Sequence, residues 1–310
     1  MRHDGGTRCA AQSPRVLVLR ILVTGADGFT GLHFVRQARA VGHEIVEFTA
    51  NLTDPAAVKS QVAEAAPEAV VHLAAISFVG HSQASAFYDV NVIGTLNLLD
   101  ALQALAQAPR QILLASSANV YGNSDQSPIE ETQTPVPVNH YAMSKLSMEF
   151  LAKTYADKLP LFFVRPFNYT GPGQAASFVI PKLVAHFQRR AVTVELGNLH
   201  VEREYNDVRM VCDVYLKLLE RAQRGETYNI CSGQTHTLGH VIDVLTELTG
   251  HHIQVQVNPD FVRANEIHRL CGSPTKLTQT LGALPEMTLH DTLQTMLKAA
   301  QGSPQSSPVP

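Results

Sequence analysis

Gly25-Ala26-Asp27-Gly28-Phe29-Thr30-Gly31 constrains the fold of this chain more than any other stretch. Before it runs Val16–Thr24, aliphatic and β-branched, as a parallel strand covered on both faces should be. After it come Leu32, Phe34, Val35 and Ala38 at helical spacing. Strand, glycine turn and helix in that order form the Gly-x-x-Gly-x-x-Gly variant of a dinucleotide-binding fingerprint. Its glycines let the backbone turn tightly and approach a pyrophosphate, which the helix N-terminus stabilises. Gly25, Asp27, Gly28, Phe29, Thr30 and Gly31 are therefore expected cofactor contacts.

The same unit repeats along the first half. His43–Phe48 reads as the second strand. Thr49 stands where an acidic residue would bind ribose hydroxyls, and no arginine follows to take a 2′-phosphate, so the choice between NADH and NADPH stays open. Asn51 and Leu52 come next, Asn51 within reach of an adenine edge, and Asp54-Pro55 opens a helix as N-cap and first residue. Ala69–Ala75 is a buried strand whose end (Leu73, Ala74, Ala75) should pass the cofactor, with Ser77 just beyond. A long helix is expected over about 83–106, carrying Asn91, and Gln111–Ala115 is a strand delivering Ser116 and Ser117. A loop with Pro128, Pro135 and Pro137 leads to a helix over about 140–157, then to the strand Leu161–Arg165. Such repetition implies an α/β fold, a Rossmann-type doubly wound parallel sheet with ligands at the carboxyl ends of its strands.

Tyr141 and Lys145 are four apart, so on a helix they leave one face a turn apart. A phenol has a pKa of about 10 and alone is a poor proton donor near neutrality. A neighbouring ammonium favours the phenolate and makes a usable acid–base group. Ser117 adds a neutral hydroxyl that can hold a reacting oxygen.

The chain has 310 residues and a net charge of −3, which gives no general attraction to nucleic acid or acidic membranes. Its four cysteines form no Cys-x-x-Cys pair, which points to reduced thiols in the cytoplasm and away from a zinc site. No His-Glu-x-x-His arrangement occurs, and no apolar run reaches the length of a membrane span. The expected organisation is a loose extension (1–15), an NAD(P)-binding domain (16–168 plus 204–230), a smaller mixed α/β lobe over the cofactor (169–203 plus 231–300), and a disordered tail (301–310).

Four motifs fall in one order: Thr24-Gly25-x-x-Gly28-x-x-Gly31, Asn91-Val92-x-Gly94-Thr95, Ser117-x-x-Val120-Tyr121-Gly122 and Tyr141-x-x-x-Lys145. Over about residues 16–298 the chain resembles the extended short-chain dehydrogenases/reductases, which act on nucleotide sugars. The second-half segments Arg165-Pro166-Phe167-Asn168, Gly171-Pro172-Gly173-Gln174, Glu195–Leu199 and Tyr228–Gly233 resemble its GDP-mannose branch of 4,6-dehydratases and 4-keto reductases. The resemblance implies NAD(P)H as cofactor and a catalytic trio of Ser117, Tyr141 and Lys145. It implies Ser77, Asn168, Ser177, Arg203, Arg263 and Glu266 as substrate contacts, and a homodimer paired through the two long helices.

Dehydratases of this branch carry a catalytic glutamate two residues before the loop tyrosine. Here that place holds Asn119, preceded by Ala118, and neither is a base. The expected activity is therefore reduction of GDP-4-dehydro-6-deoxy-D-mannose to GDP-D-rhamnose. The rival readings are a dehydratase or bifunctional enzyme, a reductase giving GDP-6-deoxy-D-talose, and a non-catalytic nucleotide-binding scaffold or redox sensor.

Overall fold

The computed structural model describes residues 18–77, 83–261 and 267–301. Six parallel strands form the central sheet: β1 (Arg20–Thr24), β2 (Glu44–Phe48), β3 (Ala69–His72), β4 (Gln111–Ala115), β5 (Leu161–Pro166) and β6 (Thr227–Ile230). Their spatial order is β6-β5-β4-β3-β1-β2, so the chain leaves β1 to one side for β2 and crosses to the other for β3. That reversal opens a crevice at the carboxyl ends of β1 and β3, where doubly wound sheets hold ligands. The extension 1–15 and the tail from 302 lie outside the described residues.

Alternation along the strands sends side chains to two cores. Ile21, Val23, Val71, Leu113 and Phe162 pack under α1 (Phe29–Ala40) and an amphipathic helix, Val208–Arg221. Leu22, Val70, Ile112, Leu114 and Phe163 pack under α2 (Pro55–Ala65), α3 (Gly94–Gln103) and α4 (His140–Lys153). Asp54 caps α2 as expected, its carboxylate accepting from the N–H groups of Ala56 and Ala57. A third core joins Val179–Gln188, Leu238–Thr249 and the helix from Leu289 to the parallel pair Thr193–Leu196 and Gln254–Val257.

Three elements depart from expectation. The helix over 83–106 is broken into Ala84–Tyr88, a π-turn at Asp89–Ile93, and α3. The wider turn accompanies an inward Asn91, which hydrogen-bonds the backbone of Ile76 in both directions. The strand over 69–75 ends at His72, because the N–H of Ala74 donates to the Thr24 hydroxyl at 3.1 Å and leaves the ladder. Helix Thr275–Leu281, within the segment assigned to the smaller lobe, instead contributes Leu277 and Leu281 to the first core of the sheet.

Between β5 and α4 lies a buried ion pair. The Arg165 guanidinium donates to both Glu149 oxygens, at 2.9 and 2.6 Å, with the two side chains 5% and 0% exposed. Arg165 also donates to the Tyr121 hydroxyl, which donates to Asn229 on β6. Removing one partner of such a pair strands a buried charge, whereas replacing both restores an apolar contact. Glu149→Leu is therefore expected to lose about 3–5 kcal/mol of stability, with Glu149→Leu/Arg165→Met recovering most of it, read from urea-denaturation midpoints.

Candidate active site

The glycine turn is built by close approach. Gly25 has φ +67°, and a Cβ there would lie 2.8 Å from the nitrogen of Ala74 on the neighbouring strand end. A Cβ on Gly31 would come 2.0 Å from the Gly25 carbonyl oxygen, so the first turn of α1 can pack on the loop only with glycine there. Gly28 is the N-cap of α1 and brings no side chain, leaving the first N–H groups available to an anion. Beside the turn is a cavity of about 370 Å³ lined by Gly25, Asp27, Glu47, Asn51, Ala74 and Val90, among others. Glycine cradle, uncapped helix start and adjoining cavity together fit a dinucleotide.

Of the other expected cofactor contacts, Thr30 and Phe29 face Tyr169. The Thr30 and Tyr169 hydroxyls are 2.7 Å apart, and the Phe29 and Tyr169 rings stack at 6.1 Å. The Asn51 side chain accepts from the N–H and hydroxyl of Thr53 within its own turn. Leu52 is buried against Gly94, and Leu73 and Ala74 are partly buried beside the turn.

The trio converges across β4 and α4. Ser117, at the end of β4, is 5% exposed; Tyr141 and Lys145, in the first turns of α4, are 9% and 3% exposed. Asn139 starts α4 as a capping residue, its side chain accepting from the N–H of Ala142. The Ser117 hydroxyl is the side chain that acts on the Tyr141 phenol against burial. Burial is the larger influence on that phenol and pushes its pKa above 10, while the Ser117 hydroxyl pulls it down. This reverses the expected direction, for the Lys145 ammonium is turned to the Ala115 carbonyl at 2.7 Å. Burial brings Lys145 down to about 8, against a smaller upward pull from Glu149.

The sequence profile of the family described as GDP-mannose 4,6 dehydratase matches residues 40–296, most of the chain. The chain belongs to that family. Among members, it is 38% identical to the GDP-6-deoxy-D-talose 4-dehydrogenase of Aggregatibacter actinomycetemcomitans, over 85% of this chain and 92% of that one. It is 33% identical to the GDP-6-deoxy-D-mannose reductase of Pseudomonas aeruginosa, over 90% and 96% of the two chains. The solved structure of RMD from Pseudomonas aeruginosa complexed with NADPH matches with a TM-score of 0.85 at 31% identity, covering 92% of this chain and 100% of that one. The chain is an NAD(P)-dependent nucleotide-sugar oxidoreductase of this family.

The expected sugar-side residues are more scattered. Ser77, Asn168 and Ser177 are exposed, and Arg203 is half-buried in a three-stranded sheet between His236–Thr237 and Arg269–Leu270. Arg263 and Glu266 lie outside the described residues. A second cavity, about 290 Å³, is lined by Gly197, Asn198, Leu199, His200 and Val257. No helix among the described residues is long and apolar enough to cross a membrane.

Two organising residues escaped the sequence. Glu204 is fully buried and accepts from the N–H groups of Gly272 and Ser232, the Ser232 hydroxyl and the Asn206 amide. It ties the segment after β6 to the segment after Leu270, and its only prior signal was position beside Arg203. His72 is also buried, and burial lowers its pKa to about 3, so the ring is neutral.

Lys145 supplies a test of this electrostatic picture. Its pKa in the folded protein is about 8 against an ordinary 10.5, so the unfolded chain binds more protons between those values. Stability therefore rises with pH across that window, and the burial cost is fully present below about 8. Lys145→Met should melt higher than the parent at pH 7 and lose that advantage as the pH is raised from 8 towards 10.5, as read by thermal scans.

Proposed function

We propose that the protein reduces the C4 ketone of GDP-4-dehydro-6-deoxy-D-mannose, with GDP-D-rhamnose as product. The observation that carries this reading is a buried serine, tyrosine and lysine beside a loop that holds Asn119 in place of a base. The alternative carboxylates of that loop, Asp125 and Glu130, are solvent-exposed. Between them and beside Glu130, buried Ile129 is pinned to Gly272 and Ser273. Loss of the C6 hydroxyl needs a base at C5, and among the described residues the position beside the trio where this loop would supply one holds Asn119.

When bound along the glycine turn, NAD(P)H supplies the hydride. Tyr141 gives its proton to the oxygen as negative charge develops there, and a phenol held protonated by burial is suited to that role. Ser117 donates a hydrogen bond to the same oxygen and stabilises the developing alkoxide. Lys145, once released from the Ala115 carbonyl, would hold the nicotinamide ribose and favour the phenolate with its positive charge. On the sugar side, Asn168, Ser177, Arg203, Arg263 and Glu266 are the proposed contacts, arginine matching a diphosphate with its planar fork.

A second product is favoured by one finding. The relative of higher identity is named for GDP-6-deoxy-D-talose, the C4 epimer. Proton NMR of the product separates the two: an equatorial C4 hydroxyl gives large H3–H4 and H4–H5 couplings, an axial one small couplings. With GDP-4-dehydro-6-deoxy-D-mannose prepared enzymatically, the purified protein should oxidise NADH or NADPH, and Tyr141→Phe should lower turnover by roughly 10²-fold or more. With GDP-mannose alone no 4-keto product should form; its appearance would sink the reductase reading.

The partner we propose is a second copy, and the free thiols fit a cytoplasmic setting. Met143 and Phe150, 42% and 62% exposed, are one heptad apart on α4, and Ile93, 45% exposed, sits on the adjoining π-turn. Just past the end of α4, the Tyr155 hydroxyl donates to Asp100 on α3. Light scattering should give twice the chain mass, and Phe150→Glu should shift it towards the monomer without unfolding the protein.

A further inference from the structure

A serine hydroxyl has one proton to give and two lone pairs to receive. Ser117 caps the short 3₁₀ turn Ala118–Tyr121, so its oxygen accepts from the Asn119 backbone N–H at 3.2 Å. The Asn119 side-chain Nδ2 donates to the same oxygen, also at 3.2 Å. Both lone pairs are thereby occupied, and what Ser117 retains is its proton. Tyr141, buried like Ser117, is the phenol whose proton affinity that hydroxyl lowers.

We propose that Asn119 is a positioning residue, its side-chain amide filling the second lone pair of Ser117 so that the Ser117 proton is directed at Tyr141 and, in turnover, at the substrate carbonyl oxygen. The backbone N–H comes with any residue in this turn; the amide does not. A carboxylate of the same shape would accept where the amide donates. The Ser117 proton would then turn towards residue 119 and away from the reacting oxygen. An amide at this place therefore does more than remove a dehydratase base. It orients the hydroxyl that a reductase uses.

This inference rests on the reductase reading for its kinetic arm only. Asn119→Ala should lower kcat about fivefold, the worth of one hydrogen bond, with little change in KM. Asn119→Asp, nearly isosteric, should lower it further, by about 50-fold, as expected when an acceptor opposes an acceptor. In a Ser117→Ala background, Asn119→Ala should cost nothing more. A space-filling role predicts the opposite ranking, with alanine worse than aspartate, and a full Asn119→Ala loss persisting without Ser117; either result overturns the proposal. The second arm needs no substrate. In protein carrying ¹³Cζ-labelled tyrosine, the Tyr141 resonance, assigned by its loss in Tyr141→Phe, should move in Asn119→Ala in the same direction as in Ser117→Ala, and no further in the double variant. An unmoved resonance in Asn119→Ala overturns the proposal. If the parent fails to reduce the 4-keto sugar, the functional reading falls and this second arm alone decides the role of Asn119.

Discussion

A single directed chain of buried hydrogen bonds joins the cofactor turn to the catalytic helix. It begins where the N–H of Ala74 donates to the Thr24 hydroxyl, which lies 2.6 Å from His72 Nδ1. His72 Nε2 is 2.8 Å from the Thr95 hydroxyl, and Thr95 donates to the Asn91 carbonyl. Since the Thr95 proton is spent on Asn91, His72 must donate from Nε2 and accept at Nδ1. The ring is neutral, as its burial requires, and Thr24 gives its proton to it. The Asn91 side chain then donates to Ser144, and Ser144 donates to the Tyr141 carbonyl. Every hydroxyl along this path has a settled direction, which is what a buried polar network needs if it is to rigidify and not destabilise. Strand end, π-turn and α4 are held in one register by it, so the glycine turn and Tyr141 cannot shift independently.

Around that frame the site is held dry, and dryness rather than a resident charge sets the resting chemistry. Burial raises the Tyr141 phenol and lowers the Lys145 ammonium. The two groups thus move apart in proton affinity, the phenol held protonated while the ammonium gives up its proton more readily. Lys145 donates to the carbonyl at the end of β4. Contacts made with a ribose would redirect it, so the acid strength of Tyr141 is coupled to what fills the groove. The Glu149–Arg165 pair one turn along α4 leaves Glu149 with a full set of donors and only a modest pull on Lys145.

The features readable in the sequence were those with local signals. Gly25, Gly28 and Gly31 answer to backbone sterics within one turn, Asp54-Pro55 to capping, and β4 to an unbroken apolar run that ends in two serines. Tyr141 and Lys145 needed only helical spacing to share a face. What stayed hidden depends on partners far along the chain. The π-turn exists because Asn91 reaches Ile76 and Ser144, and nothing in Asp89–Ile93 itself departs from a good helix. His72 looks like any strand residue until Thr24 and Thr95 flank it. The direction of the Tyr141 pKa was misjudged because sequence spacing places the ammonium but says nothing of how deeply both groups are buried. Helix Thr275–Leu281 was set in the wrong layer for a similar reason: its apolar residues fit either core.

The same reasoning explains why no motif separates rhamnose from talose. In the proposed reduction, Ser117 and Tyr141 would fix the position of the carbonyl oxygen, and the glycine turn would fix the side from which hydride arrives. With both held, the two C4 epimers differ only in which face of the ketone is turned towards the hydride, a rotation of the sugar about its carbonyl axis. The trio is therefore common to both outcomes, and stereochemistry must be set by groups that grip the hexose away from C4. These lie on irregular segments, near Ser77, Asn168 and Ser177, where spacing carries little information and side-chain direction carries nearly all of it. Two relatives named for opposite epimers, at 38% and 33% identity, are what such an arrangement allows. On the proposed reading, a few contacts on the sugar would decide the product.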